Sequence, residues 1–155
     1  MKASSQENIF LVQVLATAMM TGIIWFVQIV HYPLFSKIPP QGFVSYELLN
    51  TTATGLLVGP IMLVEISTAF LLLILRSPVA FQPVYLLALG CLILVWLSTF
   101  FLQVPLHSLL SSRPDTEAMR SLVLTNWIRT LFWTLRLGLL GKILLSGFCL
   151  PGTIH

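Results

Sequence analysis

The stretch TNWIRTLFWTLRLGLL, residues 125–140, is apolar enough to lie in a membrane, yet it carries Arg129 and Arg136. Its polar and aromatic residues recur at steps of three, four and three: Asn126, Arg129, Trp133 and Arg136. Such steps put side chains on one face of an α-helix. Lipid cannot satisfy the polar groups of that face, so other helices must cover it. The stretch therefore predicts a membrane helix packed inside a bundle.

The composition of the whole chain also indicates a membrane protein. Of its 155 residues, 57% are hydrophobic and only 8% are charged, whereas soluble domains carry about 25% charged residues. So few charges cannot cover a water-facing surface, and we expect the lipid bilayer to surround the protein. The net charge of +3 is spread along the chain without a run of Lys or Arg, which argues against a nucleic-acid partner.

Four apolar runs reach the length of roughly 20 residues that a bilayer-spanning helix needs. They cover about residues 9–30, 51–75, 84–102 and 122–148. Because a lone helix with so many polar groups is unstable in hydrocarbon, the four should pack together. The sequence thus predicts one domain, residues 1–155, with an all-α fold: an integral membrane four-helix bundle.

Two segments around the first run need a separate interpretation. The triplet ATA at residues 16–18 resembles a signal-peptide cleavage site, but the apolar run continues to Val30, so we expect helix one to be retained. The segment SKIPPQGFVSYELLN, residues 36–50, contains two adjacent prolines and mixes polar with apolar residues. We expect a loop there, followed by a short interfacial helix.

The orientation in the membrane rests on the distribution of basic residues. The positive-inside count is equal on the two sides: Lys2, Arg76 and Lys142 on one, and Lys37, Arg113 and Arg120 on the other. An even number of spans puts both termini on the same side. We expect a multi-pass protein of the plasma membrane with both termini in the cytoplasm.

Each predicted helix carries its polar residues on one face, and these faces should point at one another. Chain direction then brings four polar side chains to the same end of the bundle: His31, His107, Asn126 and Arg129. The polar residues of the first helix are Gln13, Thr17, Thr21, Gln28 and His31, those of the second are Thr54, Glu65 and Thr68, and those of the third are Thr99, Gln103 and His107. Pro105 should add a kink to the third helix.

Depth predicts one ion pair. Glu65 is the only carboxylate within the predicted spans, and Arg136 lies about as far into helix four as Glu65 lies into helix two. At about 1.5 Å per residue, both lie roughly 20 Å from the same end. We therefore expect Glu65 to pair with Arg136 near the middle of the bundle, with Arg129 nearer the mouth.

Small residues and cysteines give weaker signals. Gly55 and Gly59 form a GxxxG motif, and Gly138 and Gly141 lie on helix four. We expect these glycines to mark close helix contacts inside the bundle, with a homodimer contact or no role as the alternatives. Cys91 and Cys149 show no metal or disulfide spacing, and we expect them to be buried thiols without a role.

The polar groups suggest how a reaction would proceed. Arg129 and Asn126 would hold an enolate or phenolate oxygen, and His31 or His107 would take the proton. Each histidine has a second interpretation, as a membrane-boundary side chain bonded to backbone, and a third, as a metal or haem ligand. Further substrate-binding candidates are Glu65, Trp133 and Arg136; His155 is expected to be a solvated chain end.

Four motifs resemble a known family. VHYPLF (30–35), LVE (63–65), VPLH (104–107) and NWIRTLFWTLR (126–136) resemble the small integral membrane proteins related to the anthrone-oxygenase-like family, over most of the chain. The resemblance implies a pocket that includes His31, Asn126, Arg129 and Arg136. It also implies, for a subset of that family, the oxygenation of polyketide anthrones. A weaker resemblance to the membrane-type protoporphyrinogen oxidase, which has a histidine in an early helix, implies haem as a cofactor.

Two classes of function stay open at this point, and with them the question whether the protein is an enzyme. The first is an oxidoreductase or oxygenase that acts on a small lipophilic aromatic or quinone-like compound in a polar intramembrane pocket. The second is a non-enzymatic membrane protein, namely a lipid-binding subunit, a small transporter or an assembly factor. In that case the buried charges would be a structural ion-pair network.

Overall fold

The computed structural model describes residues 3–35 and 37–148, which form four long helices and no strand. Two of the helices contain a π-helical turn. Helix α1 consists of Ala3–Phe26, the π turn Val27–His31 and a last turn, Tyr32–Phe35. Helix α3 consists of Pro83–Ser98, the π turn Thr99–Gln103 and a last segment, Val104–Leu110. The other two are α2, Pro40–Ile74, and α4, Thr116–Ile143, which is followed by a third π turn, Leu144–Phe148. A 3₁₀ turn, Pro78–Phe81, joins α2 to α3.

Helix α2 is longer than the sequence predicts. It begins at Pro40, so the expected loop and separate interfacial helix over residues 36–50 are wrong for most of that segment. Pro39 is extended, and Pro40 occupies the first helical turn, where the N–H that a proline lacks would have no partner in any case. The extension places Glu47 inside the bundle, where it is fully buried.

Helix α4 begins with a well-formed cap. Asp115 has an extended backbone, and its carboxylate accepts a hydrogen bond from the Ala118 amide at 3.0 Å. That bond, together with nearby Arg113, holds the pKa of the Asp115 carboxyl below its usual range. The cap satisfies one of the free amides at the helix start and fixes where α4 leaves the connecting turn.

Three of the four helices are long and apolar enough to cross a membrane, by length and composition: Ser5–Phe35, Pro40–Ile74 and Pro83–Leu110. Helix α4 is not among them, because its polar residues lower its mean hydropathy. Those polar residues face inward, however, while Leu124, Leu131 and Leu135 are exposed on its outer face. An apolar exterior is therefore common to all four helices.

Charged side chains on the described surface lie near the helix ends. On α4, Arg120 and Lys142 are exposed, and no exposed charged residue lies between them. The distance along the helix is about 33 Å at 1.5 Å per residue, close to the hydrocarbon thickness of about 30 Å. We call the end with Arg76 and Lys142 the terminal end and the end with Lys37 and Arg113 the distal end.

The helices do not pack evenly around the bundle. Helix α4 packs against α1 and α3, and α1 packs against α2. Helices α2 and α3 come together mainly at the Pro78–Phe81 turn and through Val104–Leu110. The wall between α2 and α3 is consequently open over part of its length.

The glycines do not mark close helix contacts. A Cβ atom added at Gly55, Gly59, Gly138 or Gly141 would meet no neighbouring group within 4 Å. The prediction of an internal contact at these glycines is wrong, and the homodimer contact stays a prediction. Cys91 is a buried free thiol, as expected; Cys149 and His155 lie outside the described residues.

Candidate functional site

The polar faces predicted from the sequence point into the bundle. The α4 stripe is buried over its full length, and so is most of the α1 stripe. Thr54, on the predicted α2 face, is exposed, whereas Glu65 is fully buried. The polar side chains that are at most 9% exposed include Gln13, Thr17, Thr21 and Gln28 on α1, Gln103 on α3, and Asn126, Arg129 and Arg136 on α4.

The predicted ion pair is confirmed. Arg136 Nε donates to Glu65 Oε1 at 2.8 Å, and both side chains are almost fully buried. The same oxygen accepts from Thr17 Oγ1 at 2.6 Å, and Glu65 Oε2 accepts from Trp133 Nε1 at 3.1 Å. Helices α1 and α4 thus supply three donors to a single carboxylate of α2.

Each of the three guanidinium nitrogens of Arg136 has a partner as well. Its Nη1 donates to the Ala88 carbonyl of α3 at 2.6 Å. With the Gln13 amide nitrogen turned toward the Tyr85 hydroxyl, the amide oxygen accepts from Arg136 Nη2 at 3.3 Å. We call Gln13, Thr17, Glu65, Tyr85, Trp133 and Arg136 the inner network. None of these six residues lines the cavity described next, and the substrate-binding roles of Glu65, Trp133 and Arg136 stay predictions.

A cavity of about 540 Å³ lies in the distal half of the bundle. Its volume falls in the range of about 300–1,000 Å³ that is usual for small-molecule sites. Most of its wall is apolar, and its polar lining includes His31, Asn50, Thr54, Thr99, Gln103, His107 and Arg129. Six of its wall residues are exposed, and five of these belong to α2 and α3, so it opens toward the gap between these two helices; the five are Thr54, Gly55, Leu57, Val104 and Ser108.

Arg129 is the one charged residue of α4 that lines this cavity. Its side chain is held by Asn126 Oδ1, 3.4 Å from Nη1, and by the ring of Trp133, whose centroid is 5.3 Å from the guanidinium carbon. No carboxylate among residues 3–35 and 37–148 forms an ion pair with it. Its Nε is buried without a hydrogen-bond partner. Arg129 is therefore a permanent cation with donors to spare.

Asn126, predicted to be catalytic, lies behind Arg129 and does not line the cavity. Its amide nitrogen donates to Gln28 Oε1 at 2.8 Å, and Gln28 Nε2 donates to the Val123 carbonyl at 3.3 Å. Asn126 is consequently fully buried and fixed in orientation. It contacts Arg129 through its Oδ1 and not the cavity, and its catalytic role stays a prediction.

A second buried carboxylate, Glu47, does not line the cavity but is bonded to two residues that do. His107 Nδ1 lies 2.6 Å from Glu47 Oε1, and Asn50 Nδ2 donates to Glu47 Oε2 at 3.2 Å. When Glu47 is ionised, the Nδ1–H of His107 donates to it, which leaves the Nε2 lone pair free to accept a proton. The sequence analysis missed Glu47 because it placed this residue outside the spans. The available signal was the common helical face of Phe43, Glu47 and Thr54.

His31 lies at the same end as His107, as predicted. It is half-buried and lines the cavity. Asn50 lines the cavity beside it, and the His31 ring lies 5.6 Å from that of Phe35. A chain of polar contacts connects Asn50, Glu47 and His107 at the distal end, and His31 lines the same cavity.

Two π turns border the cavity, and each precedes a proline. In VQIVHYP (27–33) the Tyr32 amide donates to the Val27 carbonyl, and in TFFLQVP (99–105) the Val104 amide donates to the Thr99 carbonyl. Pro33 and Pro105 have no amide to donate, so the helix loosens one turn earlier. The wider turns end at His31 and Gln103, which both line the cavity. Such turns are frequent at functional sites.

The described residues do not form a metal site. No group of three or more His, Cys, Asp or Glu side chains in the described part of the chain could hold a metal ion. Haem as a cofactor, which the weaker resemblance implies, stays a prediction. We derive no step through either group.

Comparison of the chain with protein-family models, with curated proteins and with solved structures finds no match. The resemblance to the anthrone-oxygenase-like family rests on its motifs alone. The function has to be inferred from the geometry of the cavity.

Proposed function

We propose that the protein is an integral membrane protein in which all four helices span the bilayer. The outward side chains of α4 are apolar and its polar side chains are buried, which is the arrangement that lipid selects. An apolar surface of this extent would be unusual on a soluble monomer. The proposal includes the plasma membrane as the location and the cytoplasm as the side of both termini.

We propose that the cavity binds a small lipophilic aromatic or quinone-like compound through one of its oxygen atoms. Arg129 is the observation that carries the proposal: it is a buried cation that lines an apolar cavity, lacks an anionic partner and has a free Nε donor. Structural arginines inside a membrane bundle are normally paired, as Arg136 is. A ligand oxygen that carries negative charge would complete the coordination of Arg129.

The reaction that this geometry supports begins with proton removal. Nε2 of His107, oriented by Glu47, takes a proton from a ring methylene at the distal end of the ligand. The electron pair stays on the ring and spreads to the oxygen at Arg129, which becomes an enolate or phenolate. With dioxygen as co-substrate, the methylene becomes a carbonyl and one water is released, so atoms and electrons balance.

The non-enzymatic alternative is supported by one feature, the inner network. Its charges are saturated within the protein, as a structural ion-pair network requires. This network explains why the helices associate, but it does not account for the unpaired donor of Arg129 in the cavity. The two proposals therefore differ in what they expect of Arg129.

The experiment begins with cell membranes. The protein should resist an alkaline wash and be released only by detergent, and a cysteine in place of Arg113 should react with an impermeant maleimide added to intact cells. Wild type in lipid nanodiscs should bind 1-naphthol above the level of empty nanodiscs. The Arg129→Met variant should bind at least about tenfold more weakly, because it loses charge-assisted hydrogen bonds.

Arg120→Met is the matched control, since Arg120 lies on the same helix but is exposed and outside the cavity. Its binding of 1-naphthol should equal that of wild type. With anthrone as substrate, wild type should accelerate oxygen consumption, and His107→Gln should abolish that acceleration. Equal binding by wild type and Arg129→Met would refute the ligand site. Binding without accelerated oxygen consumption would favour the non-enzymatic alternative.

A further inference from the structure

A second buried polar atom on the cavity wall has no partner. Gln103 is 1% exposed and lines the cavity, and its Oε1 makes no hydrogen bond in the described structure. Arg129 Nε is buried and unpaired as well. One is an acceptor and the other is a donor. Unpaired buried groups of this kind are rare in proteins and call for a physical explanation.

The orientation of the Gln103 amide follows from its neighbour Thr125. The Thr125 hydroxyl donates to the Ser121 carbonyl at 2.7 Å. Its single hydrogen is thereby used, so toward Gln103 it can only accept. Gln103 Nε2 must therefore be the atom that lies 2.8 Å from Thr125 Oγ1. The carbonyl oxygen of the amide is left as the free acceptor.

The residues that carry the free acceptor and the free donor are neighbours on the cavity wall. Thr125 and Arg129 are four residues apart on α4, which places them on one face, one turn from each other. Because Gln103 is bonded to Thr125, its amide lies beside the position from which the Arg129 side chain starts. A single small group on a ligand can be placed between them.

We infer that the cavity selects a hydroxyl group, in the form of a phenol, a hydroquinol or the enol of an aromatic ketone. The oxygen of a hydroxyl accepts from Arg129 while its hydrogen is donated to Gln103 Oε1. A ketone or an ether satisfies Arg129 but leaves Gln103 Oε1 unpaired, and a buried unpaired acceptor weakens binding. This inference rests on the proposed function, and it specifies which form of the compound the site holds.

A consequence for the reaction follows from this selectivity. The ketone, whose methylene gives its proton to His107, is held by Arg129 alone, and so is a quinone product, whereas the enol tautomer of the ketone is held by both groups. The site therefore favours the reduced, hydroxyl-bearing form and releases the oxidised carbonyl form. Gln103 acts as a specificity residue in this scheme.

The test compares two probes that differ in one methyl group, 1-naphthol and 1-methoxynaphthalene. Binding to protein in nanodiscs is measured by equilibrium dialysis and corrected for partitioning into empty nanodiscs. Wild type should bind 1-naphthol about tenfold more tightly than the ether, and Gln103→Met should bind the two within about twofold of each other. Thr99→Val is the control variant, because Thr99 lines the same cavity but its hydroxyl already donates to the Val95 carbonyl at 2.8 Å.

The outcomes separate this inference from the proposed function. Equal affinity of wild type for both probes, with both lost in Arg129→Met, would overturn the hydroxyl selectivity and leave the ligand site standing. Absence of binding of either probe to wild type would overturn both. Should Gln103→Met fail to fold, Gln103→Glu tests the same point, because its carboxylate keeps the acceptor and should keep the preference for 1-naphthol.

Discussion

The inner network and the cavity wall contain the same kinds of side chain, but the two regions differ in how completely these side chains are paired. Glu65 and Arg136 lie in contact, and each has further hydrogen bonds from other helices. Arg129 and Gln103 each keep an unpaired buried atom. Arg129 and Arg136 are only two turns apart on the same helix, so depth and helix type cannot explain the difference.

The difference indicates separate roles for the two regions. A charge buried in a bundle is tolerated when a partner of opposite charge and hydrogen bonds surround it. Paired in this way, the inner network holds α1, α2, α3 and α4 in one arrangement, and its charges are neutralised within the protein. The cavity wall instead keeps an unpaired donor and an unpaired acceptor. We therefore expect substitutions in the first region to change stability and substitutions in the second to change binding.

The largest loss of stability should come from removing only one partner of the Glu65–Arg136 ion pair. Arg136→Leu leaves Glu65 buried without its cation, and we expect a loss of about 3–5 kcal/mol in the free energy of unfolding. Thermal unfolding in detergent measures this loss. Arg129→Leu is the matched variant on the same helix, and it should unfold close to wild type because Arg129 has no carboxylate partner to abandon.

The double variant Glu65→Leu/Arg136→Leu sharpens the comparison. Removing both charges leaves no unpaired ion, so much of the lost stability should return. A double variant no more stable than Arg136→Leu would show that the hydrogen bonds to Thr17 and Trp133 matter more than the ion pair. A single variant as stable as wild type would contradict the separation of the two regions.

A smaller loss of stability should come from substitutions of Glu47 or His107, a pair that combines features of both regions. The pair is internally bonded, as in the inner network, but His107 also lines the cavity. We expect His107→Leu to reduce the free energy of unfolding by about 1–3 kcal/mol, because Glu47 keeps only its bond from Asn50. Ser108→Ala, the next residue and also on the cavity wall, should leave stability unchanged.

A double-mutant cycle decides whether the pair behaves as a unit. With Glu47→Leu as the second variant, the coupling energy between Glu47 and His107 should exceed about 0.5 kcal/mol. Additive losses would show that the short His107–Glu47 distance contributes nothing to stability. Ligand binding measured on the same variants would show how far the pair serves the cavity instead.

The ion pair of the inner network could be predicted from the sequence, and the cavity could not. Glu65 and Arg136 stand at matching depths in apolar runs, so their pairing follows from chain direction and helix rise. Glu47 was missed because two prolines precede it and suggested a loop, although prolines are also tolerated at helix starts.

The open wall and the π turns depend on tertiary packing, which helical spacing does not encode. Consecutive helices usually pack together, and nothing in the sequence shows that α2 and α3 separate along part of their length. Pro105 predicts a kink in α3, but a kink alone does not predict that the Gln103 side chain turns toward Thr125. The GxxxG motif of Gly55 and Gly59 suggested close packing, yet Gly55 lies on the cavity wall.

The smallest change in stability, with a clear change in binding, should come from Gly55. A leucine at Gly55 would meet no neighbouring group within 4 Å at its Cβ, and it would extend over the opening between α2 and α3. Gly59→Leu is the matched control, one turn away, equally free of neighbours and outside the cavity lining. Both variants gain helix propensity, so stability should rise by no more than about 1 kcal/mol in each. Only Gly55→Leu should slow 1-naphthol binding in stopped-flow mixing with nanodiscs; equal slowing by both would show that the ligand does not pass between α2 and α3.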